Sequence, residues 1–152
     1  GRTLADLELS VAAQLNFTDD IERVGRERAA GYAFTIGAMG SAATNFYNQA
    51  FARQGFGEAI EEVQRLWQAG DRDAAGAAVP IELGLHTNLV GDDVAVTERL
   101  RQYHRRGIDT LRVGLEGPSH GDRLDQLGRL LDLVASVNAE ATDQASTENG
   151  KS

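Results

Sequence analysis

The sequence predicts a helix-rich α/β fold in which two parallel strands are each followed by a helix. Two segments, Leu9–Phe17 and Leu111–Leu115, have the apolar patterning of strands. Helical periodicity, interrupted by glycines and by capping residues, fills the sequence between these two segments and after the second one. Strands that alternate with helices in this way are typical of a parallel sheet covered by helices.

The first predicted strand, Leu9–Phe17, alternates between two kinds of side chain with the period of two that a half-buried strand requires. One side carries Leu9, Val11, Ala13, Leu15 and Phe17, and the other carries Ser10, Ala12, Gln14 and Asn16. We therefore expect one face of this strand to be packed and the other face to present polar groups.

Capping residues and glycines set the predicted bounds of the first helix. Asp19, with Glu22 three residues later, has the spacing of a capping box and opens this helix. The helix is predicted to continue through Tyr32–Ile36 and to stop at Gly37 and Gly40, because glycine is favoured at helix ends.

Five more helices are predicted, four between Gly40 and the second strand and one after that strand. Pro80–Leu89 is ambiguous and is predicted to be a short helix and a turn, since proline ends or restarts a helix. The final helix is amphipathic. Its apolar residues are Leu124, Leu127, Leu131 and Val134. The other predicted helices run from Thr44 or Asn45 to Gly55, from Glu58 to Gly70, from Asp71 to Ala78 and from Asp92 to Gly107.

The residues from Ala141 onward are small and polar, which predicts a disordered tail over residues 141–152. Residues 1–140 are predicted to form the folded portion. A fold with only two parallel strands is incomplete, because parallel sheets are covered by helices on both faces and have neighbours at both edges. We therefore expect further strands before residue 1, an open edge on the strand Leu9–Phe17, and association of the chain with a second copy.

Composition and charge limit the classes of partner. The net charge is −8, whereas nucleic-acid binding draws on lysine and arginine that neutralise phosphates, so nucleic acid and anionic membrane surfaces are poor partners. The sequence has no cysteine, which excludes disulfides and thiolate metal ligands. Without a signal-like start, these features favour a cytoplasmic protein.

Several short motifs carry a resemblance to a known family. They are Tyr32–Ser41, Asn45–Asn48 and Gly55–Phe56, and later Ala77–Pro80, Leu89–Gly91, Arg99–Tyr103, Gly107 and Leu111–Val113. In this order and spacing, over about Leu9 to Gly117, they resemble the luciferase-like monooxygenase family, in its deazaflavin (coenzyme F-420)-dependent oxidoreductase subfamily. One position departs: Ala38 stands where the family usually has glycine, which disfavours a positive φ there.

The resemblance implies that the chain is the C-terminal part of a (β/α)8 TIM barrel, with Leu9–Phe17 as the seventh strand and Leu111–Leu115 as the eighth. The helices between them would form the long insertion of these enzymes. It also implies hydride transfer or oxygen activation on FMN or coenzyme F-420, which the protein positions toward an unidentified organic small-molecule substrate. Catalytic side chains of the family come mostly from earlier strands, so no catalytic residue is assigned and the isolated chain is expected to be inactive.

A different class of function stays open, namely a non-catalytic helical module for protein interaction or oligomerisation. The gene upstream of residue 1 distinguishes the two hypotheses. A preceding pattern of strands and helices supports the barrel, whereas a start codon at residue 1 supports the module.

Candidate site residues lie at four places in the sequence. Gln14 and Asn16 are on the polar side of the first strand near its carboxyl end, where barrel enzymes bind ligands; the alternative is that they satisfy neighbouring backbone groups. Arg112 alternates with apolar residues and would need an anionic partner inside a barrel. That partner is either a carboxylate in a structural ion pair, which we favour, or a substrate.

The other candidates lie in the helical region. The segment of Gly37, Met39 and Gly40 could let the backbone approach a ligand, although such glycines more often end a helix. Asn45 and Tyr47 could border the mouth of a pocket, although a helix cap and a packing aromatic are simpler roles. No metal site is expected, because the three histidines have no ligand spacing.

Overall fold

A computed structural model describes residues 3, 6–39 and 45–149 of the chain. The chain divides into two compact units. The sheet unit comprises the residues up to Asp19 and those from Asn88 onward, and the helical unit comprises Asp20–Thr87. The helical unit therefore lies within the segment between the two predicted strands, and the remainder of that segment, from Asn88, belongs to the sheet unit.

The sheet unit contains three parallel strands rather than the two that the sequence predicts. They are β1 (Ser10–Phe17), β2 (Leu89–Gly91) and β3 (Thr110–Leu115), in the spatial order β2-β1-β3. The prediction of a turn up to Leu89 missed β2. The three residues of this strand are buried on both faces, so they show no alternation by which a strand could be recognised.

The position of β1 also corrects an expectation. The first strand was expected to have an open edge, but β1 is the central strand of the described sheet. Leu15 is paired with Leu89 of β2 on one side and with Leu115 of β3 on the other. The edge strands of the described sheet are therefore β2 and β3.

Two helices of the sheet unit cover its apolar face. They are α7 (Asp93–Arg105), which Asp92 caps by accepting a hydrogen bond from the backbone N–H of Ala95, and α8 (His120–Asn149). The buried residues of this core are Ala13, Leu15, Leu89, Val96, Leu100, Leu130 and Val137. The expectation that one side of β1 is packed is thus confirmed, and the packing comes from the chain's own helices.

The helical unit consists of short helices around a second apolar core. They are α1 (Ile21–Ala30), α2 (Tyr32–Ala38), α3 (Phe46–Phe51), a π-helical turn (Ala52–Phe56), α4 (Gly57–Gln68), α5 (Arg72–Ala78) and α6 (Ile81–His86). The core comprises Ala29, Ala33, Ile36, Ile60, Val63, Ala75, Val79 and Leu83. The predicted ends at Gly55, Gly70 and Gly107 are confirmed by the positive φ of each glycine.

The first helix differs from its prediction at both ends. Asp20, not Asp19, caps α1 by accepting a hydrogen bond from the backbone N–H of Arg23. The helical run breaks at Gly31, and α2 passes through Gly37 without stopping there. Glycine weakens a helix wherever it stands, so only the surrounding packing decides which glycine interrupts it.

The close approach of α1 and α6 depends on two glycines. A β-carbon on Gly84 would lie 2.6 Å from the backbone nitrogen of Ala29 and closer still to the backbone oxygen of Gly25. Side chains at Gly25 would collide with Leu85 and Ile81. The two helix backbones therefore touch without intervening side chains.

Helix α8 extends into the predicted tail, of which residues 150–152 lie outside the described residues. Helix α8 continues to Asn149, and Glu140 just before the predicted tail pairs with Arg101 of α7 at 2.8 Å. Disorder of residues 141–152 in solution stays a prediction, for which the order of the backbone amides is the measurement.

Candidate functional site

The face of the sheet opposite its apolar core carries three of the candidate residues. Gln14 and Asn16 lie on β1, and Arg112 lies on β3 opposite Ala12. Gln14 and Arg112 are exposed, and Asn16 is half-buried. Because β1 and β3 are adjacent and alternate residues share a face, these side chains project from the same side of the sheet. We refer to this side as the polar face.

The backbone of Gln14 is fixed by a residue that the sequence did not suggest. The N–H of Gln14 donates to Oδ1 of Asn88 at 2.9 Å, and Asn88 is only 8% exposed. Asn88 directly precedes β2, so its side chain extends the pairing of β1 beyond the end of that short strand. In the sequence, this contact is indicated only by the position of Asn88 directly before the residues of β2.

The side chain of Gln14 lies across β3. Its register partner is Gly114, and a β-carbon built on Gly114 would lie 2.7 Å from both Cδ and Nε2 of Gln14 and closer still to Oε1. The carboxamide therefore occupies the space that a side chain at position 114 would fill. The packing of Gln14 over Gly114 was not predicted, because the residues near Gly114 in the sequence do not indicate which side chain lies across from it.

Arg112 does not have the ion pair that the sequence favoured. Its side chain is exposed, and the described residues offer its guanidinium neither a hydrogen bond nor an ion pair. A charge next to Gln14 on the polar face is therefore available to an anion.

The carboxyl ends of the strands are held by contacts with each other and with helices α7 and α8. The N–H of Thr18 donates to the carbonyl of Gly91 at 3.1 Å, which joins the ends of β1 and β2. The guanidinium of Arg129 lies 3.8 Å from the centre of the Phe17 ring, and its Nε donates to Asp93 at 2.6 Å. These contacts fix the strand ends at which a parallel sheet presents its ligand site.

Gly37 and Met39 lie in the helical unit, and Gly40 is outside the described residues. A β-carbon on Gly37 would lie 2.6 Å from Cβ of Trp67. Trp67 also meets the Phe34 ring edge-to-face at 5.9 Å and the guanidinium of Arg72 at 3.7 Å. Gly37 thus allows a tryptophan to pack against α2, and Met39 is a partly exposed residue at the end of that helix.

Asn45 is buried and has the simpler of its two predicted roles. Its Oδ1 accepts from the backbone N–H of Asn48, which caps α3, and its Nδ2 donates to the carbonyls of Thr35 and Ile36 at 3.1 and 3.2 Å. Asn48 adds another bond to the carbonyl of Ile36. Both carboxamides therefore join the end of α2 to the start of α3.

Tyr47, by contrast, is 44% exposed and packs edge-to-face against the neighbouring ring of Phe46. The structure thus brings Gln14, Asn16 and Arg112 together on the polar face and places the described helical candidates in the other unit.

The carboxylates Glu98 and Glu140, whose pKa values are shifted, lie away from the polar face. Hydrogen bonds from Arg105 lower the pKa of Glu98, and hydrogen bonds from Arg101 lower the pKa of Glu140. These groups lie at the surface, so they form surface ion pairs. Within the described residues, His, Asp and Glu form no group of three or more that could hold a metal ion, and no helix is long and apolar enough to cross a membrane.

Comparison with known proteins gives one family and one relative. The family described as luciferase-like monooxygenase matches residues 1–110, which include β1, the helical unit, β2 and α7. The relative is a Mycobacterium tuberculosis (strain ATCC 25618 / H37Rv) protein named "Putative coenzyme F420-dependent oxidoreductase Rv3520c". It is 29% identical over 119 residues, which cover 74% of this chain and 32% of the relative. The chain thus spans about a third of the relative's length. No solved structure matches.

Proposed function

Because the chain belongs to the luciferase-like monooxygenase family, we propose that it is part of an oxidoreductase that uses coenzyme F-420 (a deazaflavin) or FMN. The similarity to a protein named for the F-420 cofactor supports this proposal. In it, the chain forms the C-terminal part of a (β/α)8 barrel, where β2 would lie between β1 and β3 instead of beside β1 alone as in the order β2-β1-β3. The proposed substrate is an organic small molecule. The proposed location is the cytoplasm.

The observation that carries the proposal is the polar face of the sheet. A parallel sheet normally has both faces covered, yet this face presents the exposed Gln14 and Arg112 while the other face is packed. In a closed barrel the corresponding face points inward, and its residues nearest the carboxyl ends of the strands border the ligand site. An unpaired cation and a carboxamide on that face suit an anionic ligand with polar ring edges.

The residues of the polar face fit a flavin or deazaflavin in their charge and in their hydrogen-bonding groups. Both cofactors are anions with carbonyl groups on a planar ring, so the guanidinium of Arg112 and the carboxamides of Gln14 and Asn16 could bind and orient them. When bound, the cofactor supplies the hydride-transfer or oxygen chemistry. We assign no catalytic residue to this chain, and we propose that it has no turnover by itself.

The test uses the complete product of the gene that encodes these residues. The purified protein is titrated with FMN and with coenzyme F-420, and the fluorescence of each cofactor is followed. We expect saturable binding of one of them, which also decides between the two. If neither binds at concentrations up to about 1 mM, a range that covers weak sites, the proposed function is wrong.

The 152-residue chain provides the matched comparison. One side of a pocket cannot enclose a ring system of this size, since ligand sites bury about 70–90% of a small molecule. We therefore expect no micromolar binding of either cofactor by the isolated chain. Tight binding by this chain would show that it contains the whole site.

A row of exposed leucines on α8 favours a second proposal, that the chain self-associates. Leu124, Leu127 and Leu131 are 53%, 36% and 56% exposed, and they occur at helical spacing. Together with the edge strand β3 they leave apolar surface and backbone groups unpaired in the described sheet unit. Light scattering at several concentrations tests this, and a monomer at every concentration would contradict it.

A further inference from the structure

Strand β1 is paired along both of its edges, and both of its neighbours follow it in the sequence. On one edge β3 pairs with it, from Ser10 opposite Thr110 to Leu15 opposite Leu115. On the other edge the short strand β2 pairs only with the end of β1, Leu15–Phe17. The connection that runs from β2 through α7 to β3 therefore passes across β1.

The barrel of the proposed function requires a different order of strands. In a (β/α)8 barrel consecutive strands are neighbours, so β2 lies between β1 and β3, and the remaining edge of β1 belongs to the strand that precedes it. The order β2-β1-β3 cannot become that arrangement by the addition of strands at its two edges. The pairing of β1 with β3 has to be given up.

The chain by itself has a physical reason to pair β1 with β3. β1 is the longest of the three strands, and an edge of it without a neighbour would leave backbone N–H and C=O groups unpaired. β3 offers six residues to that edge, whereas β2 has three. With β3 beside β1, Leu130 and Val137 of the following helix α8 also pack in the same core as Ala13.

Contacts at the start of the β1–β3 pairing are open to water. The carbonyl of Leu9 accepts from the backbone N–H groups of Asp109 and Thr110 at 2.9 and 3.2 Å, and the N–H of Leu9 donates to the Asp109 carboxylate at 2.8 Å. Leu9 and Asp109 are exposed. Because water can replace hydrogen bonds at such a position, their loss costs little net free energy. A competing strand can therefore begin to separate β3 from β1 at this end.

We propose that β3 pairs with β1 only in the isolated chain and that β2 lies between them in the complete gene product. There, β1 is flanked by β2 and by the preceding strand of the barrel. This inference rests on the barrel in the proposed function. It implies that the polar side chains of β1 and β3, among them Gln14 and Arg112, are further apart in the complete product by the width of one strand, about 4.8 Å.

Pairs of introduced cysteines report the strand order directly, and the 152-residue chain has no cysteine of its own. Ala12→Cys together with Arg112→Cys replaces two exposed register partners of β1 and β3. Neighbouring strands lie about 4.8 Å apart, which a disulfide can span, whereas strands separated by a third strand lie about twice as far apart, which it cannot. The pair is introduced into the isolated chain and into the complete gene product, and both proteins are oxidised in the native state.

We expect the disulfide to form in the isolated chain and to be lost in the complete gene product. Mass spectrometry of the linked peptides assigns the bond to residues 12 and 112, whatever other cysteines the complete product contains. Oxidation in denaturant shows that both thiols can react. In the isolated chain, Ala12→Cys with Val90→Cys is the matched negative control, because these residues are not register partners. Ser10→Cys with Thr110→Cys repeats the test on the same two strands if the first pair does not fold.

Failure of this inference is distinguishable from failure of the proposed function. An equal yield of the disulfide in both proteins would overturn the inference, because β1 and β3 would then be neighbours in both. Its absence from the isolated chain would overturn it as well. Cofactor binding by the wild-type complete product is measured separately. If a cofactor binds and the disulfide forms in both proteins, the oxidoreductase is kept and the barrel order is wrong. If no cofactor binds, the proposed function fails, and the disulfide yields still decide the strand order.

Discussion

Two carboxamide side chains, Asn45 in the helical unit and Gln14 in the sheet unit, have opposite environments. In the helical unit, Asn45 is 3% exposed, and both its oxygen and its nitrogen are bonded to backbone groups at the junction of α2 and α3. In the sheet unit, the side chain of Gln14 is exposed and lies over Gly114 without a hydrogen bond to the described residues. The Asn45 side chain therefore stabilises the fold, whereas the Gln14 side chain is available to a ligand.

The glycines of the two units differ in the same way. Gly84 lets the backbones of α1 and α6 touch, so its neighbours are atoms that cannot move without the helix. Gly114 makes room for the end of one flexible side chain. Residue type therefore does not distinguish these two glycines, but the nature of the neighbouring atoms does.

The largest effect is expected for Gly84→Ala. The new methyl group would collide with backbone atoms of Gly25 and Ala29, so we expect unfolding free energy to fall by about 3 kcal/mol or more, the upper end for overpacking. Urea denaturation followed by circular dichroism is the measurement. Gly128→Ala on α8 is the control, because a β-carbon there meets nothing and helix propensity should add up to about 1 kcal/mol. Equal stability of Gly84→Ala and wild type would contradict the close contact.

A smaller loss is expected for Asn45→Ala. This substitution removes the cap of α3 and leaves the carbonyl of Thr35 without its bond from Asn45, which costs about 1–3 kcal/mol. The same denaturation experiment on Gln14→Ala should change stability by no more than about 0.5 kcal/mol, as for exposed sites. If both variants lose the same stability, the contrast between the two carboxamides does not hold.

Arg112→Met tests the polar face through its charge. Because the side chain is exposed, we expect the stability of the isolated chain to change by less than about 0.5 kcal/mol. In the complete gene product the same change should weaken cofactor binding about tenfold, the loss expected of a charge-assisted hydrogen bond. Arg112→Lys keeps the charge and serves as the comparison. A large loss of stability in the isolated chain would instead indicate a structural ion pair.

The smallest effect is expected in how the stability of the fold changes as the pH is lowered. Arg101 lowers the pKa of Glu140 in the folded chain below its usual value. A depressed pKa means that the pair stabilises the fold at neutral pH and that this contribution disappears as the pH falls through the carboxylate range. Both groups lie at the surface, where an ion pair contributes little, so only a slight flattening of the stability profile from pH 7 to pH 3 is expected in Glu140→Gln. An unchanged profile would mean that this surface pair contributes nothing measurable.

Local signals in the sequence predicted much of the fold. Asn45, Asp71 and Asp92 cap helices as expected, because a cap is a contact between a side chain and a backbone group three residues later. The alternation in β1 and β3 predicted their burial for a similar reason, since it reflects which side of one strand is packed. The family, too, could be recognised from short motifs.

Contacts between distant parts of the sequence were decided only by the tertiary structure. The strand β2 exists because Leu89 pairs with Leu15, and it has too few residues to show a period of its own. At Gly37 the missing side chain leaves room for Trp67, and at Gly114 it leaves room for Gln14. The residues around each glycine in the sequence do not indicate which distant side chain packs there. The sequence by itself determined which residues could form helices, strands and caps, because those choices depend on neighbours along the chain. Which polar groups became bonded and which stayed open to a ligand depended on the atoms that folding brought next to them.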